Sequence, residues 1–334
     1  MENEKVVQEQ QYMIETFNLT KVYRKKAVVD HVNMHIPYGV IYGFVGENGS
    51  GKTTIMRLLT GLIEPKEGSF TLFGVSNKSN KIYEMRKQMS AIVEVTSLVR
   101  SMTALENIKY QELYLGIKLT NEEREGLLEK VHLDKVGSKK VKDFSLGMRQ
   151  RLGIALALMN HPKLMLLDEP MNGLDPQGIA ELRDLLIELN QKEGITVLIS
   201  SHILSELEKI ASFYGFISHG RLIEEITIED LQRKCRKSLT IKVDNHNEME
   251  DILKSMKIAD CEVFPNGDVK IYDEVDIGAF ISDLHKKKVK ILNVRSSDEN
   301  VEDYYLNLVK AYENEQREIE YKKEQESSKK EEQK

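Results

Sequence analysis

Val40-Ile41-Tyr42-Gly43-Phe44-Val45 is a short run, apolar throughout, as a strand covered on both faces would be. It passes directly into Gly46-Glu47-Asn48-Gly49-Ser50-Gly51-Lys52-Thr53, and an amphipathic helix opens at Lys52. This order of strand, glycine-rich loop and helix leaves few folds open, because each part answers one need of a nucleoside triphosphate. Glycines admit backbone amides close to phosphate, where side chains would stand in the way. The helix N-terminus gives positive potential. The spacing G-x-x-x-x-G-K-[ST] then supplies a cation for the β- and γ-phosphates, Lys52, and a hydroxyl for Mg²⁺, Thr53. Binding of ATP or GTP is the expectation.

A second apolar run, Leu164-Met165-Leu166-Leu167, ends in Asp168-Glu169. Because the strand stops there, both carboxylates can reach a site at its carboxyl edge. Asp168 is the candidate to hold Mg²⁺ through its hydration shell, and Glu169 the candidate general base for an attacking water. A third run, Ile195 to Ser200, ends in Ser200-Ser201-His202. Next to the carboxylate strand, the imidazole of His202 could hydrogen-bond a γ-phosphate and the water.

Around these motifs, strand patterns over 12–20 and 27–36 alternate apolar and polar residues, and Ser69 to Gly74 reads as another strand. Residues 97–160 read as mostly helical, with Thr103 and Glu106 spaced as a capping box and a further helix starting near Leu146. A helix from Pro176 to about Lys192 has Asp175 as its cap, proline at its first position and Gly194 at its close. Strands alternating with helices predict an α/β fold with a parallel sheet, and the helical stretch as an insertion in it. Beyond about residue 226 the pattern becomes β-α-β-β-α-β, with a helix over Asn247 to Lys257 and Asn266-Gly267 as a hairpin turn; this fits a small ferredoxin-like α/β domain. The expected boundaries are 1–225 for the nucleotide-binding domain, with a helical subdomain over about 96–158, then 226–312 for the accessory domain. Residues 313–334 form a Glu/Lys/Gln-rich tail, helical or disordered.

Composition removes several classes. With 334 residues, 40% hydrophobic and 31% charged, the chain has enough apolar material for sizeable cores. A net charge of −6 argues against nucleic acid held on a broad basic face. The two cysteines, Cys235 and Cys261, have no metal-ligand spacing and fit free thiols in a reducing compartment. No stretch reaches the ~18 consecutive apolar residues of a spanning helix, and Met1 to Gln11 lacks the pattern of a secretory signal.

Phe144-Ser145-Leu146-Gly147-Met148-Arg149-Gln150-Arg151 opens the helix near Leu146. On physics alone this is an ordinary capped helix as readily as an anion site. The phosphate loop, FSLGMRQRLGIALAL, LLDEPMNGLDP and LISSHILSELEKIA stand in the order and spacing of ABC-transporter nucleotide-binding subunits, and over roughly 12–225 the chain resembles that family. The resemblance implies a P-loop, RecA-like core with an antiparallel β subdomain and a helical subdomain. It identifies FSLGM with the family's LSGGQ signature, Asn172-Gly173-Leu174-Asp175 with the D-loop, His202 with the switch histidine and Tyr23 with the adenine-stacking aromatic. The implied nucleotide-binding set is Tyr23, Gly46, Asn48, Gly49, Ser50, Gly51, Lys52, Thr53, Thr54, Glu94, Ser145, Gly147 and Asp175, with Thr53, Glu94 and Asp168 on Mg²⁺. It also implies a homodimer or heterodimer of cassettes, each ATP held between the loop of one and Ser145 and Gly147 of the other. The expected setting is the inner face of the cell membrane, through a separate integral-membrane permease.

Two motifs depart from the family pattern: Leu146 and Met148 stand where it usually has Gly and Gln, and Glu94 stands where a loop usually presents Gln near Mg²⁺. Glu94, the SLGM-type signature, the MNGLDP-type D-loop and Asn300-Val301-Glu302-Asp303-Tyr304-Tyr305-Leu306 resemble exporter ATPases of the bacitracin-resistance and lantibiotic-immunity type. Export of a peptide or hydrophobic compound is what that resemblance implies. Leu98 to Met102 and the helix after it are the expected permease-facing surface. The alternative is an ABC-type ATPase acting on ribosomes or DNA. A single set of motifs, and a gap from Gly51 to Ser145 too short for a long coiled coil, weigh against it.

Overall fold

Strand β4 (Ile41–Val45) is buried along its whole length, and so is β8 (Leu164–Asp168). Each carries apolar side chains on both faces, which only the middle of a covered sheet satisfies. They are separated by β9 (Thr196–Ser201) in a six-stranded sheet that also holds β7 (Met89–Ile92), β10 (Phe213–Ser218) and β11 (Arg221–Thr227), in the order β11-β10-β4-β9-β8-β7. All neighbours run parallel except the β10–β11 hairpin at one edge. Register places Val45 opposite Ser201 and Asp168 opposite Ser200, so the ends of β4, β8 and β9 meet at one edge. That edge is where α/β sheets of this kind bind ligands.

The structure is a computed structural model that describes residues 12–94, 97–236, 238–243, 253, 258, 260–264, 268–273, 275–286, 289–297 and 300–331. They fall into two units, 1–228 with 315–334, and 229–314.

In the first unit, β1 (Tyr12–Tyr23), β2 (Lys26–Val32), β3 (His35–Pro37), β5 (Glu67–Leu72) and β6 (Val75–Ser76) form a separate antiparallel sheet. The single strand expected over 27–36 is thus two. His31 takes a left-handed φ of +52°, and Met34 N–H donates to Thr16 Oγ1 at 2.8 Å, which re-aims the chain before β3. Met13, Ile14, Val29 and Ile36 of this sheet, with Met34 between β2 and β3, share a core with Ile55, Leu58 and Leu59 of α1 (Lys52–Thr60).

A short helix, α2 (Ile82–Arg86), precedes β7, and between β7 and β8 lie α3 (Ala104–Leu115), α4 (Asn121–Lys130) and α5 (Leu146–Leu158). The Thr103–Glu106 capping box forms as expected, and a second one, Thr120–Glu123, starts α4. Each N-cap contributes about 1 kcal/mol. Glu112 and Arg124 tie α3 to α4 through two parallel bonds of 3.0 and 2.9 Å. Helix α6 (Pro176–Glu193) has the expected Asp175 cap and ends on Gly194 at φ +68°.

The second unit contains β12 (Ser238–Val243), β13 (Cys261–Val263), β14 (Asp268–Ile271) and β15 (Ile291–Ser297) in the antiparallel order β13-β14-β12-β15. In chain order this is 2-3-1-4, the ferredoxin-like arrangement. The helix Ile277–Lys286 seats Phe280 and Leu284 on Leu239, Ile241 and Ile271. The helix expected over 247–257 (Leu253 apart) and the Asn266-Gly267 turn lie outside the described residues. Over 301–314, the part of the helix Val301–Glu331 that belongs to this unit, Val301, Tyr305 and Val309 are buried, one stripe at helical spacing. Among the described residues, no helix is long and apolar enough to cross a membrane.

Candidate active site at the carboxyl ends of the central strands

The loop after β4 is built tightly. A Cβ on Gly46 would fall 2.5 Å from Ile217 O, and one on Gly51, at φ +113°, would fall 2.7 Å from Val28 O. Glycine is required at both. The loop closes on Lys52, which is buried, with Nζ donating to Gly46 O at 2.5 Å and Glu47 O at 3.1 Å. No side chain caps α1, and Ser50 Oγ is buried without a hydrogen-bond partner. Uncapped amides, an orphaned hydroxyl and a buried ammonium are the donors a polyphosphate accepts from. Asn48 and Gly49 stand exposed at the tip, while Thr54 is buried within α1. The site therefore fits a nucleoside triphosphate.

Parallel register brings the next residues to this loop. Thr53 Oγ1 donates to Asp168 Oδ2 at 2.7 Å, and Ser200 Oγ donates to Asp168 Oδ1 at 2.7 Å. The same Ser200 hydroxyl accepts from Glu169 N–H at 2.8 Å. Asp168 is buried, and both its oxygens are held. Among the described residues no three His, Cys, Asp or Glu side chains converge on one point. A hydroxyl beside one carboxylate suits Mg²⁺, which keeps waters and takes its remaining ligands from substrate phosphates.

Glu169 has a left-handed φ of +49°, a strained conformation for a side-chain-bearing residue. It turns its carboxylate back across the strand ends. Oε2 lies 2.7 Å from His202 Nδ1, and Oε1 lies 3.4 Å from Lys52 Nζ. Three motifs distant in sequence thus form one line, Lys52–Glu169–His202. Beside it, burial pushes the Glu206 carboxyl up and the charge of Glu169 adds to this, with His202 opposing; Glu206 Oε2 is buried without a partner.

Other expected site residues are placed differently. Glu94, at φ +68°, lines the same cleft as Asp168 and Glu169, yet its carboxylate binds the guanidinium of Arg57 and takes no part in the Thr53–Asp168 cluster. Asp175 is engaged as the α6 cap, accepting from Gly178 N–H at 3.2 Å. Ser145 caps α5, accepting from Met148 N–H at 3.2 Å, and is exposed. Gly147 is buried where a Cβ would come 3.7 Å from Gly178. Leu146, at the signature, lines a cleft of about 840 Å³ with Glu94, Tyr110, Arg149, Asp168 and Glu169. Tyr23 stands at the β1–β2 hairpin, 42% exposed, with the Lys21 ammonium 5.5 Å from its ring centre.

Sequence reasoning did not assign Ser200, Glu206 or Arg57. Ser200 carried a signal, as the residue two before His202 on a strand paired with Asp168. For Arg57 and Glu206 no local signal existed.

The family model described as ABC transporter matches residues 29–172. The bacitracin transport ATP-binding protein BcrA of Enterococcus faecalis is 39% identical over 301 residues, which cover 90% of this chain and 97% of that protein. The lantibiotic transport ATP-binding protein SrtF of Streptococcus pyogenes is 46% identical over 213 residues, 64% of this chain and 90% of its own length. Among solved structures, cbiO1 from Clostridium perfringens, part of the ABC transporter complex cbiONQ, superposes with a TM-score of 0.60 at 24% identity; the match covers 67% of this chain and 92% of that one. The ATP-binding cassette MJ0796, dimeric and bound to ADP and Pi after hydrolysis, gives a TM-score of 0.58 at 25% identity over 65% of this chain and 99% of its own.

Proposed function

The chain belongs to the ABC transporter family as an ATP-binding subunit, and from this we propose that it is the Mg²⁺-dependent ATPase of an exporter whose cargo is a peptide antibiotic or another hydrophobic peptide. The observation that carries the ATPase assignment is the meeting of Thr53, Asp168, Ser200, Lys52, Glu169 and His202 at one sheet edge. The cargo class rests on the relatives named for bacitracin and lantibiotic transport. Those names give no support to a role on ribosomes or DNA.

In this reading the loop amides and Lys52 take the β- and γ-phosphates, with the ammonium leaving its loop carbonyls as it does so. Thr53 and Asp168 hold Mg²⁺, which when bound withdraws charge from the phosphates. Ser200 keeps Asp168 oriented. Glu169 accepts a proton from the attacking water, and His202, on its other side, fixes the carboxylate and reaches toward the γ-phosphate. Tyr23 stacks on adenine. Each site is completed by Ser145 and Gly147 of a second cassette, whose helix N-terminus faces the γ-phosphate. ATP then holds two cassettes together, and its hydrolysis separates them.

The permease is a separate chain, and the subunit sits at the inner face of the membrane by binding it. A groove of about 450 Å³ between β7, α3 and α5, lined by Leu62, Ala91, Val93, Gln111, Leu115 and Leu156, is the surface we assign to it. The helix after Leu98–Met102, part of the expected surface, lines this groove through Gln111 and Leu115, while Leu98, Val99 and Arg100 line the larger cleft beside Asp168. The test is co-expression with a candidate permease. Supporting results are recovery of the chain with membranes only when that partner is present, and cargo-stimulated ATP turnover by the purified complex. A chain that hydrolyses ATP but never follows a permease into the membrane fraction would overturn the transport role.

A further inference from the structure

The cleft beside the phosphate loop is lined by three carboxylates, Glu94, Asp168 and Glu169. Asp168 is held by two hydroxyls, and Glu169 faces Lys52 and His202. Glu94, two residues beyond β7, is the third. A third carboxylate near a triphosphate repels it, by a Coulomb energy that falls only as the inverse of distance in the partly screened cleft. Something must answer that charge, and the structure contains it.

Arg57 lies in the last turn of α1, the helix whose first residues are Lys52 and Thr53. Its carbonyl accepts from Leu62 N–H at 3.0 Å in the helix C-cap, so its backbone is pinned. Its guanidinium reaches the Glu94 carboxylate. Glu94 is itself aimed by a left-handed backbone that costs a non-glycine residue energy, so this placement is not the one the chain would adopt unassisted. Of the two arginines that line the cleft, Arg149 is engaged on Phe144 O and Arg100 is exposed, while Lys52 is held on the loop carbonyls. The Arg57 and Glu94 side chains are 35% and 55% exposed, and a pair this open adds little to folding stability. Its value lies in where it keeps a charge and what it cancels.

We infer that Arg57 is a positioning residue, which anchors Glu94 at the rim of the nucleotide site and balances the charge that this glutamate brings to it. The inference rests on the ATPase reading and extends it to a residue pair that makes a carboxylate tolerable at that position.

The test is a double-mutant cycle read as ATP affinity of the purified chain in chelator, without Mg²⁺, together with melting temperature. R57Q weakens ATP binding about three- to tenfold at low salt, and the loss shrinks in high salt as screening sets in. R57K, which keeps the charge, retains most of the affinity. R57Q/E94Q regains most of what R57Q loses, because no charge is left to balance. E94Q alone, with Arg57 unanswered, binds ATP more tightly than the parent. Wild-type affinity in R57Q, additive losses in R57Q/E94Q, or weaker binding in E94Q would each overturn the inference. If R57Q melts early, the E94Q result decides alone. A parent chain that binds no ATP would instead remove the ATPase reading beneath it.

Discussion

Ser200 Oγ donates to Asp168 Oδ1 at 2.7 Å, from the strand next to the one that carries the aspartate. The hydroxyl also accepts from the Glu169 amide, so one serine orients both members of the acid pair. Replacing it with alanine leaves a buried carboxylate oxygen and an amide without a partner, at about 1–3 kcal/mol each when unsatisfied. S200A is expected to raise the Mg²⁺ concentration for half-maximal ATP turnover about tenfold, while ATP affinity in chelator changes little. Mg²⁺ titrations of the two proteins check this, and a superimposable pair of curves would remove Ser200 from the site.

Glu169 is the one carboxylate of the strand-end pair that faces a cation and an imidazole rather than hydroxyls. E169Q keeps the shape and loses the proton acceptor. Turnover should fall by about 10²–10⁴, the usual worth of a general base, with ATP binding preserved. Because hydrolysis is what separates the cassettes in this reading, the variant should accumulate as an ATP-dependent dimer. Size-exclusion chromatography with light scattering, with and without ATP, measures it.

How much of this could be read beforehand follows the range of each interaction. The Thr103–Glu106 box, the Asp175 cap and the glycine loop are written within a few residues, and all three formed as expected. Asp168, Glu169 and His202 were legible because each ends an apolar run. Ser200 was not assigned, since its role arises from a register between β8 and β9 that pairs residues 32 apart. Arg57 and Glu94, 37 apart, meet only through the fold. The split of 27–36 into two strands depends on the Thr16 hydroxyl of another strand, whereas the β10–β11 hairpin is marked in the sequence by its apolar run and the Gly220 turn.

Ser145 and Gly147 lie at the start of α5, and in this reading they serve the partner's nucleotide. Two disabled chains should then repair each other. K52A lacks a competent loop and S145R a competent signature, so each is inactive alone. Mixed together, they form one site from the good loop of S145R and the good signature of K52A. ATPase activity should reappear on mixing, rise with total concentration, and approach at most the activity of one site per dimer. Continued silence of the mixture, with dimer formed, would mean that the two motifs act within one chain.

Glu206 gives a prediction with a pH sign. It sits in the short helix after His202; burial raises its pKa most, the charge of His202 opposes this, and the charge of Glu169 adds to it by less. A carboxyl raised in the folded state binds its proton more tightly there than in the unfolded chain, where it titrates near the ordinary glutamate value of 4.5. Well below that value both states are protonated, and the residue behaves like a neutral amide. As pH rises through the folded pKa, the ionised form is disfavoured in the native protein and stability falls. Glutamine has the same shape and no proton to lose. E206Q should therefore melt above the parent at pH 8 and converge with it near pH 4, the gap opening as the acid titrates. Melting curves of both proteins across that range decide it, with salt held constant to keep surface charge effects the same. A gap that is constant with pH would assign the effect to packing, and a lower melting point at pH 8 would mean that the Glu206 charge is being used, by His202 or another cation, rather than merely tolerated.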